Sequence, residues 1–184
     1  MNLVFDASKI QEDTVDTKRI YEGKIVNLRV DTVKLPDGRT STREVVEHSA
    51  AVAIIPLLDQ NRIVMVRQYR YPIGRVTLEI PAGKVDRDEE IMECARRELE
   101  EETGYVGASF QKILSFYTTP GFSDEIIHIF IARGLSRTAA HPDEDEFIQT
   151  ETVTLDEAIR MVENGVICDA KTTAALLFLK IRGE

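Results

Sequence analysis

Only two cysteines, Cys94 and Cys168, occur in 184 residues. Neither stands in a metal-ligand or redox spacing, and two thiols make no disulfide framework, so both are expected to be buried thiols. No stretch approaches the ~18 consecutive apolar residues that a membrane span requires. The opening MNLVFDASKIQEDTVD holds no apolar run of the kind that heads a secretory signal. A soluble, cytoplasmic protein is expected. There is no internal repeat, low-complexity tract or linker either. Basic residues are the minority: 23 Lys and Arg against 32 Asp and Glu leave a formal net charge of −9. Nonspecific binding to nucleic acid rests on a basic surface that neutralises phosphates, so a DNA- or RNA-coating role is excluded. An acidic chain that handles a phosphorylated substrate needs local help from placed arginines or a divalent metal.

Apolar residues make up 43% of the chain and charged residues 30%, ordinary proportions for a globular protein. The length suits one compact domain of roughly 100–200 residues. Residues 1–20 are polar and read as a loosely structured start. KIVNLRVDTVKL and STREVVEH read as two strands, closed into a hairpin by a turn at Asp37-Gly38. AVAIIPLL is almost wholly apolar and fits a strand buried on both faces. RIVMVRQYR and RVTLEIP follow as strands, with a break at Pro81-Ala82-Gly83. A helix runs from about Glu89 to Thr103, with Asp88 as N-cap and Gly104 as its stop. SFQKILSFYTT, EIIHIFIA and FIQTETVTL read as further strands, and DEAIRMVENG and AKTTAALLFLKIR as two closing helices. Mixed strands with few helices give an α+β class, with helices packed against mixed sheets.

The helix 89–103 carries the chemistry. Projected at about 100° per residue with Ile91 at zero, Ala95 falls near ~40°, Leu99 near ~80°, Met92 near ~100° and Cys94 near ~300°. These define the inward face. Glu90, Glu93, Arg96, Arg97 and Glu100 fall opposite, as solvated charges. Glu102 near ~20° and Glu98 near ~340° lie inside the apolar sector, and Glu101 borders it near ~280°. Glu98 and Glu102 are i,i+4 neighbours whose carboxylates share a face and repel. Unpaired like charges turned inward are expensive, so a cation belongs between them. Carboxylate oxygens suit a hard divalent ion, Mg2+ or Mn2+. The bland alternative is a charge-dense helix whose glutamates pair with Arg87, Arg96 or Arg97.

From Gly83 the chain reads five residues, Glu89, seven residues, then Arg97-Glu98-Leu99-Glu100-Glu101-Glu102-Thr103-Gly104-Tyr105. This resembles the signature of the Nudix hydrolases; Tyr105 replaces the usual aliphatic residue, a departure that touches packing rather than metal binding. The strand order resembles that family's αβα sandwich over nearly the whole chain. The resemblance implies Glu98 and Glu102 as main metal ligands, Glu101 on a further ion and the Ala82 carbonyl completing a site. It gives Glu89 and Arg97 a structural role. It divides the chain into an N-terminal extension and hairpin over 1–48 and a hydrolase domain over 49–184.

Pro120 lies sixteen residues beyond Gly104 in SFYTTPGFSDE, and that spacing resembles the ADP-ribose pyrophosphatase branch. STREVVEH and VRQYRYP resemble the same branch. It implies Arg43 and Arg70 as cations on the substrate and Glu146 or Glu144, in the acidic loop, as assistant to the attacking water, with Glu146 preferred. Glu125 is a further contact, and Tyr21 or Phe122 stacks on the adenine. N-terminal strands crossing to a second subunit would make a homodimer, with Arg43 serving the partner's site. The implied reaction is metal-dependent cleavage of ADP-ribose to AMP and ribose 5-phosphate. Its rivals are another nucleotide sugar, such as ADP-glucose or GDP-mannose, and a non-catalytic ADP-ribose sensor. RNA decapping fits poorly with the acidic balance, and neither nucleic acid nor membrane is expected as a partner.

Overall fold

The computed structural model describes residues 6–141 and 146–183. The chain divides into two compact units, one of residues 1–49 with 119–125 and one of residues 50–118 with 126–184.

The first unit is an antiparallel sheet in the order β1 (Asp13–Glu22), β2 (Val26–Lys34), β3 (Thr40–His48). β2 and β3 form the expected hairpin in continuous register from Val26↔His48 to Lys34↔Thr40. Its turn is closed by Leu35 N–H donating to the Arg39 carbonyl and Gly38 N–H to the Leu35 carbonyl, with Gly38 at φ +86°. Residues 13–20, expected to be loose from their polarity, belong to β1, a strand of 10 residues. All of them are exposed, so no apolar face leaves a two-residue period in the sequence; the pairing is carried by backbone bonds to β2. The loop 119–125 belongs to this sheet. Val46 N–H donates to the Phe122 carbonyl at 2.7 Å, and Asp124 accepts from His48 N–H at 2.9 Å.

The second unit holds β4 (Ala51–Pro56), β5 (Arg62–Arg70), β6 (Arg75–Glu79), β7 (Ala82–Lys84), α1 (Ile91–Thr103), β8 (Tyr105–Tyr117), β9 (Ile126–Arg137), β10 (Gln149–Thr154), α2 (Leu155–Glu163) and α3 (Ala170–Arg182). Its sheets run β10-β5-β6 and β7-β4-β9-β8, with β4 and β9 parallel and the other neighbours antiparallel. β4 is buried on both faces, and alternation sorts its side chains into two cores. Val52 and Ile54 pack with Cys94, Ala95 and Leu99 of α1. Ala51, Ala53 and Ile55 pack with Ile63, Met65, Leu78 and the inner faces of α2 and α3. This is the αβα sandwich of an α+β fold. No helix among the described residues is long and apolar enough to cross a membrane.

Several local readings change. α1 starts at Ile91, and its N-cap is Glu90, whose side chain makes no capping bond. Asp88 is no cap; it sits at φ +66° in the preceding turn, a left-handed conformation that Asp tolerates. Gly104 does stop α1, at φ +66°, and turns the chain straight into β8 four residues earlier than expected. Ala82 and Gly83, read as part of a break, form with Lys84 a short strand paired with β4. Cys94 is buried as expected, whereas Cys168 is exposed.

Candidate active site

α1 presents Glu98 and Glu102 to β7. They are 9% and 5% exposed, where the helical phase puts them. Glu102 accepts the Ala82 N–H at 3.1 Å. Glu98 lies over Gly83 so closely that a Cβ there would overlap its carboxyl carbon and both oxygens. Glycine at 83 leaves the carboxylate its place; a larger residue would push the flexible Glu98 side chain aside. Burial pushes Glu98 up to about 7, against the pull of Arg97. Burial, and then the charge of Glu98, pushes Glu102 up to about 8. Two buried acids that repel at one spot would both be eased by a cation between them.

Arg97 corrects the wheel, which put it among the solvated charges. Its Nε and Nη2 donate to Glu89 at 2.9 and 3.0 Å, and its Nη1 reaches Glu98 at 2.8 Å and Glu101 at 2.9 Å. A long side chain can curl around a helix whatever its Cβ phase. The Arg97 hydrogen bond holds Glu89 at about 2, and Glu89 in turn accepts the Asp86 N–H at 3.0 Å. One guanidinium therefore fixes the turn before α1 and orients two of the acids upon it.

Among the described residues no three His, Cys, Asp or Glu side chains are gathered into a ready-made metal nest. The donor set is two buried carboxylates beside the backbone of Ala82 and Gly83. That fits magnesium, which is held through one or two carboxylates and keeps its remaining positions for water and phosphate. Glu101 joins through Arg97. Glu146 is half-buried and close enough for its charge to raise both Glu98 and Glu102. Glu144 lies outside the described residues.

Arg70 stands at the end of β5, and its charge and that of Glu102 act on each other. Its Nε and Nη2 donate to Glu79 at 2.9 and 2.7 Å, while Nη1 has no hydrogen-bond partner among the described residues. Glu79 is 1% exposed and also accepts from Thr77 and from Lys171 Nζ. Burial alone would raise Glu79, but Arg70, Lys171 and Thr77 outweigh it and hold it at about 2. Glu79 and Lys171 escaped the sequence reading. The signals were an acid inside the apolar strand RVTLEIP and a lysine in the first turn of a helix whose middle, AALLFL, is apolar.

The remaining candidates belong to the first unit. Arg43 is paired with Glu12 through Nε at 2.8 Å and through Nη2, and it donates to the Thr42 carbonyl at 2.8 Å. Pro120 opens the turn in which Phe122 N–H donates to the Thr119 carbonyl at 3.1 Å. Glu125 lies 3.4 Å from His48 Nδ1. Tyr21 and Phe122 are both exposed.

A family model described as the NUDIX domain matches residues 47–176, and one described as the nucleoside diphosphate sugar hydrolase N-terminal domain matches residues 12–46. The chain is 47% identical to a methanol dehydrogenase activator of Bacillus methanolicus, over 94% of each chain. It is 45% identical to an ADP-ribose pyrophosphatase of Bacillus subtilis, over 94% of this chain and 95% of that one. A crystal structure of an ADP compounds hydrolase superposes with a TM-score of 0.83 at 20% identity, covering 94% and 96% of the two chains.

Proposed function

Because the chain belongs to the Nudix hydrolase family, we propose that it cleaves the diphosphate of ADP-ribose into AMP and ribose 5-phosphate with the help of Mg2+, for which Mn2+ can substitute. The observation that carries the reading is the buried Glu98–Glu102 pair against Gly83, with Arg70 within electrostatic reach. The relative from Bacillus subtilis bears on the choice of substrate.

Glu98, Glu102 and the Ala82 carbonyl would hold the ion, with Glu101 serving a further one. A bound divalent ion withdraws charge from the phosphoryl oxygens and eases deprotonation of water. Arg97 keeps Glu98 and Glu101 from turning away. Arg70, docked on Glu79 by one edge, offers Nη1 to a phosphate oxygen. Water adds its oxygen to one phosphorus, the bridging oxygen leaves with the other phosphate, and the proton passes to Glu146, with Glu144 as the alternative acceptor. Residues 1–48 would serve assembly: the exposed β1, with Val15, Ile20 and Tyr21, suits an isologous dimer in which Arg43 reaches the partner's substrate.

The test is a panel of ADP-ribose, ADP-glucose, GDP-mannose, diadenosine polyphosphates and dGTP, with magnesium and with EDTA, and products identified by chromatography. AMP formed from ADP-ribose at the highest kcat/KM, and lost with EDTA, is the expected result. Preference for ADP-glucose or GDP-mannose moves the substrate to another nucleotide sugar, and preference for a diadenosine polyphosphate or dGTP moves it to another class of phosphoanhydride. Binding without cleavage makes the protein a sensor. The name of the Bacillus methanolicus relative favours a second reading, in which this chain raises the rate of a methanol dehydrogenase. Assaying such an enzyme with and without the chain tests it.

A further inference from the structure

The groups around Glu79 form a closed charge quartet. Glu79 accepts from Arg70 and from Lys171; Lys171 also donates to Asp169 at 3.0 Å. Asp169 is the N-cap of α3 and accepts the Thr172 N–H at 3.0 Å, while its other oxygen, Oδ2, is buried with no hydrogen-bond partner among the described residues. An acid with one oxygen unsatisfied relies on the charge of Lys171. Thr172 in turn accepts the Ile80 N–H at 3.0 Å. The first turn of α3 thus holds both Glu79 and the residue after it, from 92 positions away in the chain. The exposure of the four side chains is graded: Glu79 2%, Lys171 11%, Asp169 19% and Arg70 38%. Only the arginine emerges appreciably.

Covalent geometry does the rest. A guanidinium docked on a carboxylate by its Nε and Nη2 edge has its Nη1 directed away from that carboxylate. Where Nη1 sits therefore depends on where the Glu79 carboxylate sits. Arg70 and Thr77 reach Glu79 from the strands β5 and β6; the contact from the helical layer is Lys171.

We propose that Lys171 is a positioning residue: through Glu79 it fixes the guanidinium of Arg70 so that Nη1 meets a phosphate oxygen of the substrate. The inference rests on the reading of Arg70 as a diphosphate-binding group. Lys171 itself touches no substrate. Its effect falls on binding, because the grip of Arg70 is made before the reaction and kept through it.

The experiment compares wild type, Lys171→Met, Lys171→Arg, Thr77→Val, Arg70→Ala and the Arg70→Ala/Lys171→Met double variant. It measures steady-state hydrolysis of ADP-ribose and calorimetric binding of inorganic diphosphate, both with magnesium present. Lys171→Met is expected to raise KM and the diphosphate Kd about tenfold with kcat little changed. Lys171→Arg restores both toward wild type. Thr77→Val, a milder loosening of Glu79 that serves if Lys171→Met fails to fold, raises them about threefold. In the Arg70→Ala background, Lys171→Met adds nothing further. Additive effects in the double variant, or a lowered Tm with KM and Kd unmoved, would overturn the positioning role and leave Lys171 a purely structural residue. A wild-type protein that binds no diphosphate overturns the parent reading as well, and is told apart by the first titration.

Discussion

The carboxyl group of Glu98 rests on the Cα of Gly83, in the volume that any side chain at 83 would fill. The helix supplies the acid and the strand supplies the vacancy, so the pair is one unit. Gly83→Ala is expected to push the carboxylate aside and lower kcat by roughly a hundredfold, the penalty of about 1 Å of misplacement. Secondary structure, read by circular dichroism, should stay as in wild type. A kcat within twofold of wild type would mean that the position of Glu98 is not needed.

Metal removal should be visible in stability. Magnesium at about a hundredfold excess over its Kd is expected to raise the Tm of the wild-type protein by about 5–10 °C. EDTA reverses the rise. Glu98→Gln and Glu102→Gln each lose most of it along with most turnover, while remaining folded, because each replaces an inward-facing charge by a neutral amide of the same shape. Melting curves with magnesium and with EDTA measure the difference.

Glu79 sets an acid limit. Its folded-state pKa of about 2 lies below the ordinary value of 4.5, so the stability it contributes is fully present above about 4.5. That contribution fades as the pH falls through 4.5 toward 2. The shift corresponds to about 3 kcal/mol. Denaturation at a series of pH values should show Glu79→Gln much less stable than wild type at pH 7, with the gap narrowing on acidification. A gap constant with pH would show that the ionised pairing with Arg70 and Lys171 is not what stabilises Glu79.

Glu146→Gln is expected to lower kcat by about a hundredfold with a small change in KM, as loss of a proton acceptor does. Glu144→Gln provides the comparison, and the larger kcat loss identifies the acceptor. If both variants keep the wild-type kcat, the acidic loop is a solvated loop and another group takes the proton.

How far the sequence reached depended on whether a residue's surroundings are periodic. β5 and β6 were bounded by their apolar runs, and the phase of α1 turned Glu98 and Glu102 inward because the positions around them are apolar. β1 was missed because a strand exposed along its whole length leaves no alternation. Asp88 misled because a capping residue type also suits a left-handed turn. The Glu79–Lys171 pair was invisible because its partners are 92 residues apart, and nothing local to either announces the other. The wheel put Arg97 on the wrong side because it records where Cβ points and says nothing of where a long side chain ends; the structural role implied by the family resemblance, pairing with acids such as Glu89 or Glu101, is what the structure has.

The two charge groups in the second unit differ in one respect with a kinetic consequence. The quartet of Arg70, Glu79, Lys171 and Asp169 is balanced, two cations against two acids. Around Arg97 the balance fails: Glu89, Glu98 and Glu101 share one guanidinium, and Glu102 lies beside them. A dianionic substrate arriving alone would meet excess negative charge there, whereas a divalent cation would meet attraction. Under the proposed function the order of arrival is then cation before nucleotide, or the two together. Nucleotide added ahead of the metal should bind weakly.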